Sequence, residues 1–135
     1  MDDYGVVVNP LIVDGQGHGS VAQGIGQVLY EEAVSLPDGR PAATSLLDHL
    51  LPTARDLPQD LVLTETVVPN PNQPFGAKGA GEAGCIGVPP AVVNAVCDAL
   101  DVDHVDMPLT PEAVWRAMRR SRAGRVGPVD GAVTG

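Results

Sequence analysis

The sequence predicts an α+β fold, a mixed sheet packed against helices. Three observations carry that prediction. Two β-branched runs, Val6–Val8 and residues 61–68, have strand composition. Stretches near 17–34, 89–100 and 110–118 space their apolar residues at helical intervals. The core is short of bulk: Tyr4, Tyr30, Phe75 and Trp115 are the aromatics, against Gly 16 and Pro 13. Large aromatics usually dominate core energetics, so either backbones pack closely through glycine or another chain supplies part of the core. The 135 residues make one domain, long enough for a core without disulfides or a structural metal. Residues 1–118 are expected to form its ordered part and 119–135 a flexible tail.

Val6-Val7-Val8 reads as a strand buried on both faces and stopped by Asn9-Pro10. Because it begins almost at Met1, its sheet neighbours are expected from elsewhere, although a chain can also simply start with a strand. Leu11-Ile12-Val13 runs into a turn at Asp14-Gly15-Gln16-Gly17. From Gly17 to Val34, Val21, Ile25, Val28, Leu29 and Ala33 mark the core face of a helix. Gln16, Ser20, Gln23 and Gln27 form a second, neutral stripe, flanked by Gly19, Gly24 and Gly26. A solvated helix face usually carries Lys and Glu; amides, which both donate and accept, suit a polar ligand rich in heteroatoms. A polar surface that happens to use glutamine fits the same pattern. His18 has no ligand-spaced partner and reads as a surface residue.

Residues 37–41 are a turn of the Pro-Asp-Gly kind. Thr44–Leu51 is expected as a short strand or ordered connection, and its Ser45, Asp48 and His49 are not assigned as a catalytic set, since adjacency in sequence says nothing about triad geometry. The strand at 61–68 stops in the proline-rich stretch 69–74. Pro89-Pro90 suits the first turn of a helix carrying Val92, Val93, Val96, Cys97 and Leu100. Val105–Met107 reads as a short strand. Thr110-Pro111-Glu112 is a helix start: cap, proline, then an acid in the first turn.

Between the second strand and the second helix lies the most unusual stretch. Residues 76–87 contain Gly76, Gly79, Gly81, Gly84 and Gly87, with Glu82 as the acid. Each glycine costs about 0.5–1 kcal/mol in a regular element, so the run reads as a tight loop presenting the Glu82 carboxylate to a ligand. By spacing alone, Glu82 also fits an acid placed near a helix N-terminus, where the dipole favours it.

A net charge of −9 speaks against a nucleic-acid or anionic-membrane partner; proteins or small molecules are expected instead. Cys85 and Cys97 form no CxxC pair or zinc-spaced cluster and are expected reduced, in the cytoplasm. No leader and no apolar run near the ~18 residues of a membrane helix is expected.

Five ordered segments resemble one family, the molybdenum hydroxylases: xanthine dehydrogenases, aldehyde oxidoreductases and, most closely, carbon monoxide dehydrogenase-type large subunits. The segments are 3–10 (DYGVVVNP), 15–26 (GQGHGSVAQGIG) with Glu31-Glu32, 74–84 (PFGAKGAGEAG), 89–95 (PPAVVNA) and 108–115 (PLTPEAVW). The resemblance implies that residues 1–118 are the C-terminal portion of a molybdopterin-binding domain and an incomplete piece of it. Glu82 then matches the general base at the molybdenum centre. Gln16, Gly17, Gln23, Gly24, Lys78, Gly79 and Gly81 match cofactor-side positions, Lys78 as a support of the loop, and none of these residues is a metal ligand. The implied cofactor is a molybdenum-pyranopterin, in its cytosine dinucleotide form, shared with a partner chain. The implied partners are the upstream part of the large subunit and iron–sulfur and FAD subunits, and the implied reaction is oxidative hydroxylation of an aldehyde, an N-heterocycle or a similar small substrate. The alternative is a non-catalytic remnant or interaction module that retains the fold.

Overall fold

The computed structural model describes residues 1–125. Its elements run β1 (Asp2–Asp3), α1 (Pro10–Leu29), β2 (Glu65–Thr66), α2 (Ala83–Leu100) and α3 (Pro111–Arg125). β1 and β2 pair in parallel, with Asp2 opposite Glu65 and Asp3 opposite Thr66. An antiparallel bridge from Gly5 to Ala77 extends the pairing, so the contacts are mixed, as expected, but very short.

Two strand expectations change. The N-terminal strand is Asp2–Asp3 and not Val6–Val8: Val6 is 39% and Val8 75% exposed, and neither pairs with another strand. Its neighbour β2 belongs to the same chain. Within 61–68 only Glu65–Thr66 pairs, and neither Thr44–Leu51 nor Val105–Met107 forms a strand. Val105 instead plugs the core from an irregular connection.

Helix α1 begins well before the expected turn. Asn9 caps it, its side chain accepting from the Ile12 N–H at 3.3 Å, and Pro10 occupies the first helical position. The supposed turn at 14–17 is therefore helical. Ile25 and Val28 are buried as the periodicity predicts, whereas Ala33 lies past the end of the helix. The amides of Tyr30 and Glu31 both return to the Gly26 carbonyl, at 2.9 Å each. The turn at 37–41 forms as expected, with Arg40 bonded to Asp38 at 2.7 Å.

Helix α2 also starts early, at Ala83, which places Pro89-Pro90 in its interior rather than its first turn. Residues 83–88 have poor helix propensity; packing against α1 holds them. A Cβ on Gly24 would sit 2.7 Å from the Val88 Cβ, and one on Gly84 would sit 2.9 Å from the Ser20 carbonyl carbon. The Cys85 thiol points to the Ser20 carbonyl at 3.4 Å. The two backbones thus approach through glycine. Asp101 closes α2 in the left-handed region, φ 53°, with the Val102 amide returning to the Cys97 carbonyl at 3.1 Å.

The core sits where the end of α1 meets α2, α3 and the connection between them: Val28, Val105, Leu109 and Ala117, flanked by Val92, Val96 and Val114. The Leu109 amide bonds the Val28 carbonyl at 2.6 Å. Helix α3 starts as expected, with Thr110 Oγ1 accepting from the Ala113 N–H at 3.2 Å. It continues through Arg125; the remainder of the expected tail, 126–135, lies outside the described residues.

One further correction concerns α2, which is long and apolar enough, by length and composition alone, to cross a membrane, with almost none of it buried in this chain. Glycine, proline and alanine interrupt its aliphatic run without adding charge, so no run stands out in the sequence. A core helix of a larger protein passes the same test.

Packing through glycine makes a stability prediction. Gly24→Val forces α1 away from Val88 and should destabilise the chain by about 1–3 kcal/mol, while Gly19→Ala, which meets nothing within 4 Å, should stabilise it by roughly 0.5–1 kcal/mol through helix propensity. Urea unfolding followed by circular dichroism measures both, and equal effects would reject the packing account.

Candidate functional site

Three segments converge: the first half of α1, the glycine loop 76–82 and the start of α2. The loop's glycines divide by role. Gly76 has φ +66° and is packed by Val6 Cγ2 and Pro69 Cβ, at 3.0 and 3.1 Å from where a Cβ would stand. Gly81 faces the Gln16 side chain, whose Oε1 would stand 3.2 Å from a Cβ on Gly81, and Gly84 lies against Ser20. Gly79 and Gly87 meet nothing within 4 Å.

The N-terminal segment ties down the start of the loop. The amides of Val6 and Asn70 donate to the Gly76 carbonyl at 3.0 and 2.9 Å, and the Lys78 amide donates to the Tyr4 carbonyl at 2.8 Å. Gln73 Nε2 donates to the Ala77 carbonyl at 2.7 Å. Lys78 Nζ forms an ion pair with Asp3 Oδ2, which agrees with a loop-supporting role for this lysine. Asp3 Oδ1 accepts from the amides of Gly5 and Val68 at 3.0 and 3.2 Å. From Gly79 to Gly81, no hydrogen bond forms among the described residues.

Glu82 ends this loop as the residue before α2, with a near-helical backbone, φ −110° and ψ −12°. Its carbonyl accepts from the Cys85 amide at 3.1 Å. Its side chain makes no capping bond and is exposed, so the dipole reading describes where it stands but not a bond it makes. Gln16, Gln23 and Gln27 are exposed on α1, whereas Ser20, read as part of the same stripe, is buried with its hydroxyl donating to the Gly17 carbonyl at 2.9 Å. Gly17 and Gly24 turn toward Leu63 and Val88; what they do here is packing. His18 Nδ1 bonds the Asp14 carbonyl of its own helix at 2.8 Å. Ser45 bonds Asp48 at 3.0 Å, but His49 faces Glu31 at 4.0 Å, so these three do not form a triad.

A cavity of about 390 Å³ lies between α1, α2 and the β1–β2 pair, lined by Tyr4, Asp14, Gly17, Ser20, Leu63 and Val88 among others. It contains neither Gln16, Lys78 nor Glu82. Burial, then the neighbouring Asp2 carboxylate, pushes the Tyr4 hydroxyl above its usual range. Among the described residues no three His, Cys, Asp or Glu side chains gather to hold a metal.

Residues 1–58 match the molybdopterin cofactor-binding domain family. The chain is 46% identical over 116 residues to the 6-hydroxypseudooxynicotine dehydrogenase complex subunit gamma of Paenarthrobacter nicotinovorans, over 84% of this chain and 14% of the relative. It is 35% identical over 122 residues to the carbon monoxide dehydrogenase large chain of Hydrogenophaga pseudoflava, over 88% of this chain and 15% of the relative. The solved quinoline 2-oxidoreductase of Pseudomonas putida 86 superposes with a TM-score of 0.76 at 41% identity, over 87% of this chain and 15% of that one. The chain belongs to the molybdenum hydroxylase large-subunit family. It spans about 15% of the length of these relatives, and a match over 84% or more of the chain necessarily includes the glycine loop. The α+β piece expected from the sequence is thus a segment of that subunit, and the cofactor of the family is a molybdenum–pterin.

Asp3 is the residue that sequence reading passed over. It stands in the 3–10 motif, and its role appears only once the fold brings Lys78 to it. The Lys78 ammonium, then the Gly5 amide, holds the Asp3 carboxyl below its usual value. A carboxyl lowered in the folded state contributes stability above its unfolded value, ~3.9, and loses it as pH falls through the lowered one. In a carboxyl-carbon NMR titration, Asp3 should therefore titrate below ~3.9, and Lys78→Met should move its midpoint upward. An unmoved midpoint would show that the ion pair does not hold the carboxylate.

Proposed function

We propose that this chain supplies the general base and part of the pyranopterin site of a molybdenum hydroxylase, acting with the remainder of the large subunit. The observation that carries the reading is Glu82. It is an exposed carboxylate without a capping bond at the end of a glycine loop, one residue beyond the point where the Gln16 amide meets Gly81, inside the segment shared with the relatives.

The residues fit such a cofactor in kind. Gly79 and Gly81 present side-chain-free backbone, the amides of 79–81 are unbonded among the described residues, and Gln16 and Gln23 offer exposed amides. These are neutral donors and acceptors, matched to a pterin's ring nitrogens and carbonyl, and glycine allows close approach to the main chain. Gln16, Gln23, Gly79 and Gly81 would hold the group, with Lys78 fixing the loop and Gly17 and Gly24 keeping α1 seated beneath it. We assign the cytosine dinucleotide form to the cofactor. When bound, the cofactor supplies the two-electron redox chemistry of the reaction.

Glu82 takes the proton. Its carboxylate is open to solvent and carries no capping bond, so its oxygens are available to accept a proton in general-base catalysis. The substrate class that suits this base is a small aldehyde or N-heterocycle, hydroxylated oxidatively. The uncovered apolar surface of α2, with Ile86 75% exposed, and the equally exposed Phe75 of the preceding segment support a large partner, for which we propose the upstream part of the subunit, together with iron–sulfur and FAD subunits. The free thiols Cys85 and Cys97 suit a cytoplasmic setting.

Co-expression with the upstream part tests the reading. The assembly should carry molybdenum, and Glu82→Gln should keep the metal while lowering turnover at least about 100-fold, the usual scale of general-base removal. Unchanged turnover would remove Glu82 as the base, and an assembly without molybdenum would favour a non-catalytic remnant.

A further inference from the structure

We infer that Asp3 is the positioning residue of the glycine loop, fixing Lys78 and through it the segment that ends at Glu82. The inference rests on the proposed role of Glu82 for its functional meaning and on geometry alone for the clamp.

Both carboxylate oxygens of Asp3 are committed. Oδ1 accepts from the amides of Gly5 and Val68, at 3.0 and 3.2 Å, and Oδ2 takes the Lys78 ammonium. One side chain therefore joins the N-terminal segment, the strand that leaves β2 and the glycine loop. Lys78 is held twice, since its own amide donates to the carbonyl of Tyr4, the residue next to Asp3, at 2.8 Å. The ion pair is about two-thirds covered, with side-chain exposures of 33% for Lys78 and 30% for Asp3, which shields it from the solvent that weakens open pairs.

Beyond Lys78 the loop runs free through Gly79, Ala80 and Gly81 before Gly84 locks onto Ser20. Four residues span at most ~14 Å when extended, so Glu82 is confined by two fixed points, Lys78 on one side and the α1–α2 contact on the other. The α1–α2 contact is made by many groups; at the other end backbone bonds hold residues 76–78, and the Lys78 side chain is held by Asp3. Glycine supplies the loop's freedom, and the clamp limits it.

Lys78 is the chain's one lysine, so amine acylation followed by mass spectrometry reads it directly, apart from the N-terminal amine. Asp3→Asn keeps the size and an oxygen acceptor but removes the charge. In the full chain, in the assembly in which it is purified, this variant should acylate at Lys78 about two- to fivefold faster, the scale of a partly covered ion pair. Exchange of the bonded loop amides of Gly76 and Lys78 should rise by a similar factor while exchange in the α1–α2 contact, residues 20–28, stays within about twofold. Asp3→Glu should restore slow acylation. In the molybdenum-loaded assembly, Asp3→Asn should lower turnover with metal content unchanged. Wild-type acylation and exchange in Asp3→Asn would overturn the clamp, as would equal loosening of the whole chain. If the loop loosens but Glu82→Gln leaves turnover intact, the clamp stands and the base assignment falls.

Discussion

The contact on which the structure depends is the crossing of α1 and α2, where a glycine of each helix receives a small side chain of the other. Gly24 lies under Val88 and Gly84 lies on Ser20, each too close to accept a Cβ without movement. This explains how a chain with so few aromatics builds an ordered pair of long helices. Dispersion between close backbones and small side chains replaces the bulk of large ones. It also explains why α2 begins at Ala83 across a glycine-rich stretch that has little helical preference of its own. Tertiary packing overrides propensity there.

That crossing sets the place of the candidate site. Because α2 starts immediately after Glu82, the position of the carboxylate follows from where the two helices meet, and Gln16 reaches Gly81 from the same helix that carries Ser20 and Gly24. The other end of the loop is fixed differently, by electrostatics and short-range pairing around Asp3 and Lys78. A glycine loop bracketed by two unlike anchors combines an accessible backbone with a restricted end point. On the proposed reading, this is what a base needs: freedom from competing hydrogen bonds, and little positional uncertainty.

Much of this was legible in residue patterns, and the failures have physical causes. The helical face of Ile25 and Val28 and the cap at Thr110 follow from local rules, and both are seen. Asn9-Pro10 was read as a strand's end although the same pair is a helix start, cap followed by proline; the glycines downstream hid the helix because their compensation lies in Leu63, far along the chain. Pro89-Pro90 suggested a first turn, while the helix before it is held by contact with α1. The Val6–Val8 run has the composition of a buried strand, yet burial needs covering on both faces, and here Val6 meets only the Gly76 region while Val8 stays 75% exposed. Glu82 and Gln16 were legible as chemistry on a glycine background. Asp3 was not, because a carboxylate's partner more than seventy residues away, Lys78, leaves no periodic trace.

Exposure of apolar surface completes the argument. Val28 is the one large side chain that the described residues bury fully, while Leu11 is 81% exposed and α2 is apolar with almost no burial. Hydrophobic stabilisation scales with area removed from water, so a chain arranged in this way gains much of its order from whatever covers it. A segment spanning about 15% of its relatives' length leaves ample chain to provide that cover. On the proposed reading, the rest of the large subunit does two things at once. It buries α2, which tightens the α1–α2 crossing, and that tightening fixes the helix start on which Glu82 stands. Assembly and positioning of the base are then one event, and the Asp3–Lys78 clamp supplies the part of the positioning that the chain carries by itself.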